Sequence, residues 1–340
     1  MCHTVFHTAD LIGMYTRKVV EYMAFMYLRA LSFEQIRAIL GAWFEEDVIA
    51  KDKLIHHIEA VADTMPDQCA LTKWLKPKRS GYYALDGTWI KYRGTDLVLL
   101  ILFDVQTLDV VSYSVAQDED EQAYRELVKP VMDELRDAKG FFCDGDTGLL
   151  AMLHALFFGV PVQLCVFHKY SRAGQIIPFV RVKNDVDRKT KHLTEKVLFA
   201  ETKEATYAAL AELRQHVEKN RTNAALRKLL QSIEHNFDLI VTHFDNPEMS
   251  PYNNVLEGFN HVLKRRIKLM KGFKKAENID RWIKLLMLDW RFHELTSSSF
   301  NERNKRSPLH LADCNLPRKI HNWITWTREH YPKKKKMITQ

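Results

Sequence analysis

The 340-residue chain is 46% hydrophobic and 27% charged with only 12 Gly and 10 Pro, which excludes a collagen-like, low-complexity or disordered protein and allows two or three structural units. Its formal net charge of +7 favours a polyanionic partner, and the basicity is local: residues 258–275 hold Lys264, Arg265, Arg266, Lys268, Lys271, Lys274 and Lys275 without one acid, whereas 118–137 is rich in Asp and Glu. Five scattered cysteines (Cys2, Cys69, Cys143, Cys165, Cys314) do not resemble a disulfide framework, and the run LVLLILFDV is too short to span a bilayer, so an intracellular, reducing setting is expected.

In chain order, residues 17–64 read as helices. Ser32 and Gln35 in SFEQ offer a capping box for a helix over about 33–43, and KDKLIHHIEAVAD has helical periodicity. The pair suits a helix-turn-helix reader with Lys51, Lys53, His56 and His57 towards DNA, and a plain helical bundle fits the same pattern. KPKRSG reads as a linker. YYALDGTWIKY, DLVLLILFDV and LDVVSYSVA then read as a three-strand meander. A helix over about 119–137, a strand in GFFCDGD, a helix over 146–158 and a last strand in PVQLCVFH complete a mixed sheet with helices packed on it. Beyond Arg172 the pattern is helical as far as FDNPEMSPYNN; helices follow over 254–271, stopped by Gly272, and over about 277–295, before a basic tail.

Three acids stand out. Asp86 interrupts an apolar, aromatic strand, where a carboxylate is unfavourable unless it is edge-exposed, paired or metal-bound. Asp144 directly follows the fourth strand; if the first and fourth strands are neighbours, the two carboxylates project together, and a divalent cation relieves their repulsion. Glu257 supplies the third acid that a two-metal phosphoryl-transfer site needs. On a helical wheel it shares a face with Asn254, His261, Lys264 and Lys268, opposite Val255, Phe259, Val262, Leu263 and Met270. Simpler readings compete: Asp86 as a strand-edge acid, Asp144 as a turn residue with Asp146 the true partner, and Glu257 as the acid of a capping box with Asn254. Arg266 falls within the apolar arc, where it must snorkel or pair, and Trp89, Trp282 and Trp290 read as core.

The acid in LDGTWIKYRG, the CDGD acid followed about twenty residues later by CVFH, the stretch NNVLEGFNHVLKRRIKLMKGF and the later KRSPLHLA together resemble the DDE transposases, most closely Mutator-like elements and related prokaryotic insertion-sequence transposases, over roughly residues 15–312. The resemblance implies an RNase H-like α/β domain with a mixed sheet flanked by helices (81–174 and 251–312), interrupted by an all-α insertion (175–250). A helical DNA-binding region (1–80) would precede it and a basic tail (313–340) would follow. The interval from Asp144 to Glu257, about twice that from Asp86 to Asp144, fits such an insertion. Asp86, Asp144 and Glu257 would be the metal-binding catalytic triad, with Mg²⁺ as cofactor and Mn²⁺ able to substitute. The activity implied is hydrolysis of transposon-end phosphodiesters and 3′-OH strand transfer into target DNA. The partners implied are double-stranded DNA (terminal inverted repeats and target) and further copies of the chain, at the nucleoid of a prokaryote or in a eukaryotic nucleus. Lys264, Arg265, Lys268, Lys271, Lys274 and Lys275 would contact phosphates. Cys165 and His168 have the C-x-x-H spacing found after the second Asp in Mutator-like relatives; this is half of a zinc site, and a structural or DNA-facing role is expected. Relatives often begin with a longer DNA-binding region, so end recognition is expected to be reduced here. A domesticated DNA-binding regulator without cleavage and an RNase H-like nuclease are the alternative functions.

Overall fold

The computed structural model describes residues 11–12, 15–45, 49–182, 184–269, 273, 275–296 and 298–332. Lys271, Gly272, Lys274 and the tail from residue 333 therefore lie outside the described residues, as does Cys2.

A minimal ladder of β1 (Leu11–Ile12) and β2 (Tyr15–Thr16) leads into α1 (Arg17–Leu28). α2 (Phe33–Phe44) opens on the expected capping box: Ser32 Oγ accepts from the Gln35 N–H and Gln35 Oε1 accepts from the Ser32 N–H. α3 (Lys51–Thr64) and α4 (Gln68–Leu75) follow.

The meander appears as β3 (Tyr82–Tyr92), β4 (Thr95–Asp104) and β5 (Asp109–Ala116), joined by β6 (Gly140–Cys143) and β7 (Val162–Leu164) in a five-stranded mixed sheet of order β5-β4-β3-β6-β7. β3–β4 and β4–β5 are antiparallel, and β3–β6 and β6–β7 are parallel. The strand alternation sorts the side chains into two cores. Ala84, Ile90, Leu99, Ile101, Phe103 and Phe142 face one way. They meet α1–α3, α13 (Asn254–Leu269), α14 (Ala276–Phe292), α15 (Pro308–Leu311) and α16 (Trp323–His330). Tyr83, Leu85, Val98, Leu100, Leu102, Phe141 and Cys143 face the other. These meet α5 (Glu121–Val128), α6 (Thr147–Leu156), α7 (Val166–Ile176), α8 (Asp185–Leu198), α9 (Lys203–Lys219) and α10 (Ala224–Glu234). The N-terminal helices thus share one continuous core with α13 and α14, a fact that local periodicity cannot reveal.

Two elements differ from expectation. The helix over 119–137 ends at Val128 and continues as a 3₁₀ stretch (Lys129–Leu135) with a kink at Val131, because Pro130 lacks an N–H and breaks the α-helical ladder. PVQLCVFH is not all strand: β7 stops at Leu164, Cys165 is the N-cap residue of α7, and CVFH turns into a helix. The β7 edge is covered by α11 (Phe237–Ile240) and α12 (Thr242–Asp245): buried Gln163 donates to Ile240 O and accepts the His243 N–H. Lys169 ties α7 to α10 by donating to the carbonyls of Ser232 and His235.

Among the described residues the four cysteines are free and no helix is long and apolar enough to cross a membrane.

Candidate metal centre and nucleic-acid face

The parallel pairing brings the first two acids together. β3 and β6 pair Tyr82 with Gly140 and Ala84 with Phe142, and the same register continued two residues sets Asp86 beside Asp144 at the end of β6. Asp86 stands where β3 runs on past its short neighbour, on the sheet face that it shares with Ala84 and Ile90 and that α13 covers. Its Oδ1 accepts from the Gly87 N–H (2.9 Å) and its Oδ2 accepts from Asn260 Nδ2 (2.6 Å). Burial, and then the Asp144 carboxylate, push Asp86 up to about 6.

Asp144 Oδ1 accepts from the Asp146 N–H, and Oδ2 lies 3.6 Å from Arg172 Nη2 of α7. Gly145, at φ 92°, makes the turn that sends the chain on to α6. Asp146 has a different job: its Oδ1 caps α6 by accepting from the Leu149 N–H.

Glu257 approaches from the helical layer. α13 begins at Asn254, and the Glu257 N–H bonds to the Asn253 carbonyl. Asn254 is therefore already the first helical residue rather than the N-cap, and Glu257 is the fourth rather than the third residue of the expected capping box. Its half-exposed carboxylate is met by α7 instead: Cys165 Sγ donates to Oε1 at 3.9 Å, and His168 Nδ1 lies 3.7 Å from the same oxygen. The two helix starts are locked by the Val166 N–H donating to Pro251 O. Cys165 and His168 thus both stand at the Glu257 carboxylate. The Cys165 side chain pushes His168 up to about 9, burial opposes this, and Glu257 and Asp144 add to it.

One residue of the cluster escapes sequence reasoning. Glu119, in the turn after β5, lies directly over Gly87: a Cβ on Gly87 would stand 2.0 Å from Glu119 Oε1. Burial, and then Asp144, Asp146 and Asp86, push Glu119 up to about 7. In the sequence it is one acid in the run Asp118–Glu121, with the look of a solvated helix start; the glycine that admits it lies two strands away. Asn260, buried on Asp86 one turn after Glu257, is likewise hidden among the helix's polar residues.

The basic face continues from here. Lys264, Arg265 and Lys268 of α13 are exposed, and so is Lys275. Trp89, expected in the core, is 52% exposed. With Lys91, Lys264, Ile267 and Lys268 it lines a groove of about 340 Å³ that runs along β3 away from Asp86. The exposure follows from topology: β6 pairs only with residues 82–84, and on that side β3 next meets backbone at Tyr92, which Phe273 bridges, so the stretch around Trp89 has no strand beside it. Trp282 is buried, and Trp290 packs on Phe259 and donates to Leu108 O. Arg266 is half-buried, lowered by burial, with the Asp289 charge acting against that.

On α3, Lys51, Lys53 and His56 are exposed, Lys51 above the Phe33 ring. His57, expected to face DNA beside His56, is instead buried: it joins Leu54, Ile58 and Val61 on the buried stripe of α3, and burial lowers its pKa.

A family model described as "Transposase, Mutator family" matches residues 5–294. No curated protein matches the chain. Among solved structures, a cryo-EM structure of the simian T-cell lymphotropic virus intasome with PP2A regulatory subunit B56 gamma is 15% identical, with a TM-score of 0.22. That match covers 50% of this chain and 62% of the other, less than two thirds of its length. At that TM-score the similarity establishes neither a shared fold nor a shared activity.

Proposed function

The chain belongs to the Mutator family of transposases, and on that premise we propose that it cuts DNA phosphodiesters at transposon ends and joins the freed 3′-OH to target DNA, using divalent cations held by Asp86, Asp144 and Glu257. The observation that carries this reading is the pair of carboxylates on neighbouring parallel strands, Asp86 within β3 and Asp144 just past the end of β6, with Asp86 raised to about 6 by burial and by Asp144. Hard oxygen donors that repel one another suit Mg²⁺ or Mn²⁺. Bound there, such cations would supply Lewis-acid activation of the attacking oxygen and stabilisation of the leaving one.

The chain's own residues do the rest. Asn260 holds the Asp86 carboxylate in place by its hydrogen bond, and the Gly87 N–H fixes the second oxygen. Glu257 stands on the same helix as Asn260, so one rigid element positions both. Arg172 and His168 bring positive charge to the cluster before DNA arrives. Glu119 is placed to hold a proton or to orient water at the cluster. The Glu119→Gln change is expected to lower the cleavage rate about 10–100-fold with DNA affinity retained, the range for a group supporting metal ligands. Equal rates for the two proteins would remove Glu119 from the site.

The groove of Trp89, Lys91, Lys264 and Lys268 is the proposed path of the DNA strand that reaches the carboxylates. The lysines neutralise phosphates and the Trp89 ring offers a stacking face. Lys264→Ala with Lys268→Ala is expected to weaken binding to all sequences alike and to lower the slope of log K against log salt by about 2. An unchanged slope would place the DNA elsewhere. Lys51, Lys53 and His56 are the proposed end-reading residues of the α2–α3 pair, in an assembly of two or more copies.

The sheet order supports an RNase H-like core, with the antiparallel meander on one side of β3 and the parallel strands on the other. Cleavage by purified protein of DNA bearing the element's ends, in Mg²⁺ and abolished by EDTA, tests the function; binding without cleavage would favour a domesticated regulator.

A further inference from the structure

We propose that Cys165, His168 and Glu257 form a second metal site, selective for a borderline-soft cation such as Zn²⁺, and that filling it draws Glu257 away from Asp86 and Asp144 and stops Mg²⁺-dependent cleavage. The inhibitory half rests on the role proposed above for Glu257; the binding half does not.

A thiol sulfur, an imidazole nitrogen and a carboxylate oxygen lie within 4.8 Å of one another. The two half-ligands of C-x-x-H, incomplete in the sequence, gain their third donor from a helix more than eighty residues away. With zinc–ligand lengths of about 2.3 Å to sulfur and 2.0–2.1 Å to nitrogen and oxygen, a tetrahedral site sets sulfur and oxygen about 3.6 Å apart and nitrogen and oxygen about 3.4 Å apart. The observed separations are 3.9 and 3.7 Å. The trio is therefore a few tenths of an ångström too wide, a gap that rotation of the half-exposed Glu257 side chain closes.

The frame around the donors is already rigid. The Cys165 N–H donates to Cys143 O, the next N–H donates to Pro251 O, and His168 follows on the first turn of α7, on the same face as Cys165. Cys165 is 2% exposed, which keeps its thiol from competing solutes, while Glu257 leaves an open approach and a fourth coordination position. Mg²⁺ demands octahedral oxygen ligation and does not take a thiolate, so it is directed to the carboxylate pair, whereas Zn²⁺ accepts sulfur and nitrogen. On binding, the thiol proton and one imidazolium proton pass to solvent. α13 is held to β3 through Asn260 and Asp86, so Glu257 cannot serve both sites by a shift of its helix. The side chain must choose, and the two cations compete for it.

The probe is Co²⁺ added to the purified, metal-free full chain. A near-ultraviolet thiolate-to-cobalt band at one equivalent is expected, absent in Cys165→Ser, with cobalt affinity at least ~10-fold weaker in Glu257→Gln and in His168→Ala. If Cys165→Ser fails to melt cooperatively, the other two variants, whose altered side chains are partly exposed, carry the test. No band in the wild type, a band that survives in folded Cys165→Ser, or unchanged affinity in both other variants overturns the site. For the competition, equimolar Zn²⁺ in excess Mg²⁺ is expected to slow wild-type cleavage at least ~10-fold, and to slow Cys165→Ser far less relative to its own zinc-free rate. A cobalt band without zinc inhibition overturns the inhibitory half. A wild type inactive in Mg²⁺ alone would sink the cleavage reading while the cobalt spectrum stands.

Discussion

Asp86→Asn is expected to reduce cleavage by about 10²–10³-fold or more, the scale for removing one preorganised charge-stabilising group, and at the same time to raise the melting temperature of the metal-free protein. A residue needed only for folding would move both quantities downward. The opposite signs arise because the Asp86 carboxylate is buried and faces Asp144, an arrangement that favours its protonated form. Its folded-state value, about 6, lies above the ordinary 3.8, so the folded chain binds more protons between these pH values and loses stability as pH rises through that window. At pH 7.5 the penalty is fully present and the Asn variant is relieved of it; at pH 3 both chains are neutral there and are expected to melt alike. Asn keeps one acceptor oxygen for the Asn260 amide and gives up only the bond that the second oxygen accepts from the Gly87 N–H, a smaller loss than the relieved charge burial. Mg²⁺ should raise the wild-type melting temperature and leave that of the variant nearly unmoved. A metal-free Asp86→Asn protein less stable than wild type at pH 7.5 would show that the carboxylate is anchored by charge rather than strained by it.

The second large effect is on stability. Asp109 and Arg291 are both 0% exposed and form a two-pronged pair, Nε to Oδ1 at 2.7 Å and Nη2 to Oδ2 at 2.8 Å. Arg79 adds a bond from Nη1 to Oδ2 at 2.7 Å and reaches Glu134 through Nε. The cluster ties α14 to the β5 edge and to the segment that enters β3. Asp109→Ala would leave two guanidiniums in the interior without their shared counter-charge, an effect of about 3–5 kcal/mol. Denaturant unfolding, with m unchanged, is the check. Because an intact buried pair is often no better than an apolar replacement, Asp109→Leu combined with Arg291→Met should recover part of the loss. A loss below about 1 kcal/mol for Asp109→Ala would mean that water reaches the cluster.

The contrast between these two sites explains what the sequence can disclose. That Asp86 and Asp144 are neighbours is legible because each breaks a local pattern, an acid inside an aromatic strand and an acid at a strand end, and because the order of elements makes their strands adjacent. The strands themselves are legible from near-continuous β-branched and aromatic runs. α13 is legible from its wheel, which correctly buries Phe259 and Leu263 while Lys264 and Lys268 stay exposed. The Asp109–Arg291 pair is not legible: its partners are far apart in the chain, and each alone looks like an ordinary surface charge. Glu119 is hidden for the same reason, since its significance depends on Gly87 offering no side chain. The end of β7 is hidden because Cys165 and Val166 prolong the apolar pattern past the point where backbone pairing stops. Trp89 reads as core because an aromatic residue in a strand usually is, and only the shortness of β6 exposes it. His57 reads as a basic-surface partner of His56, although helical period sets it with Leu54 and Ile58.

The central claim is that Asp86, Asp144 and Glu257 converge on divalent cations when DNA is bound. The most direct measurement is anomalous scattering from crystals of the protein–DNA complex grown with Mn²⁺. Two peaks about 3.5–4 Å apart, with Asp86 shared between them and Asp144 and Glu257 each on one, are the expected result. Manganese absent from the Asp86–Asp144 pair, in crystals where the DNA backbone is seen beside Trp89 and Lys264, would contradict it.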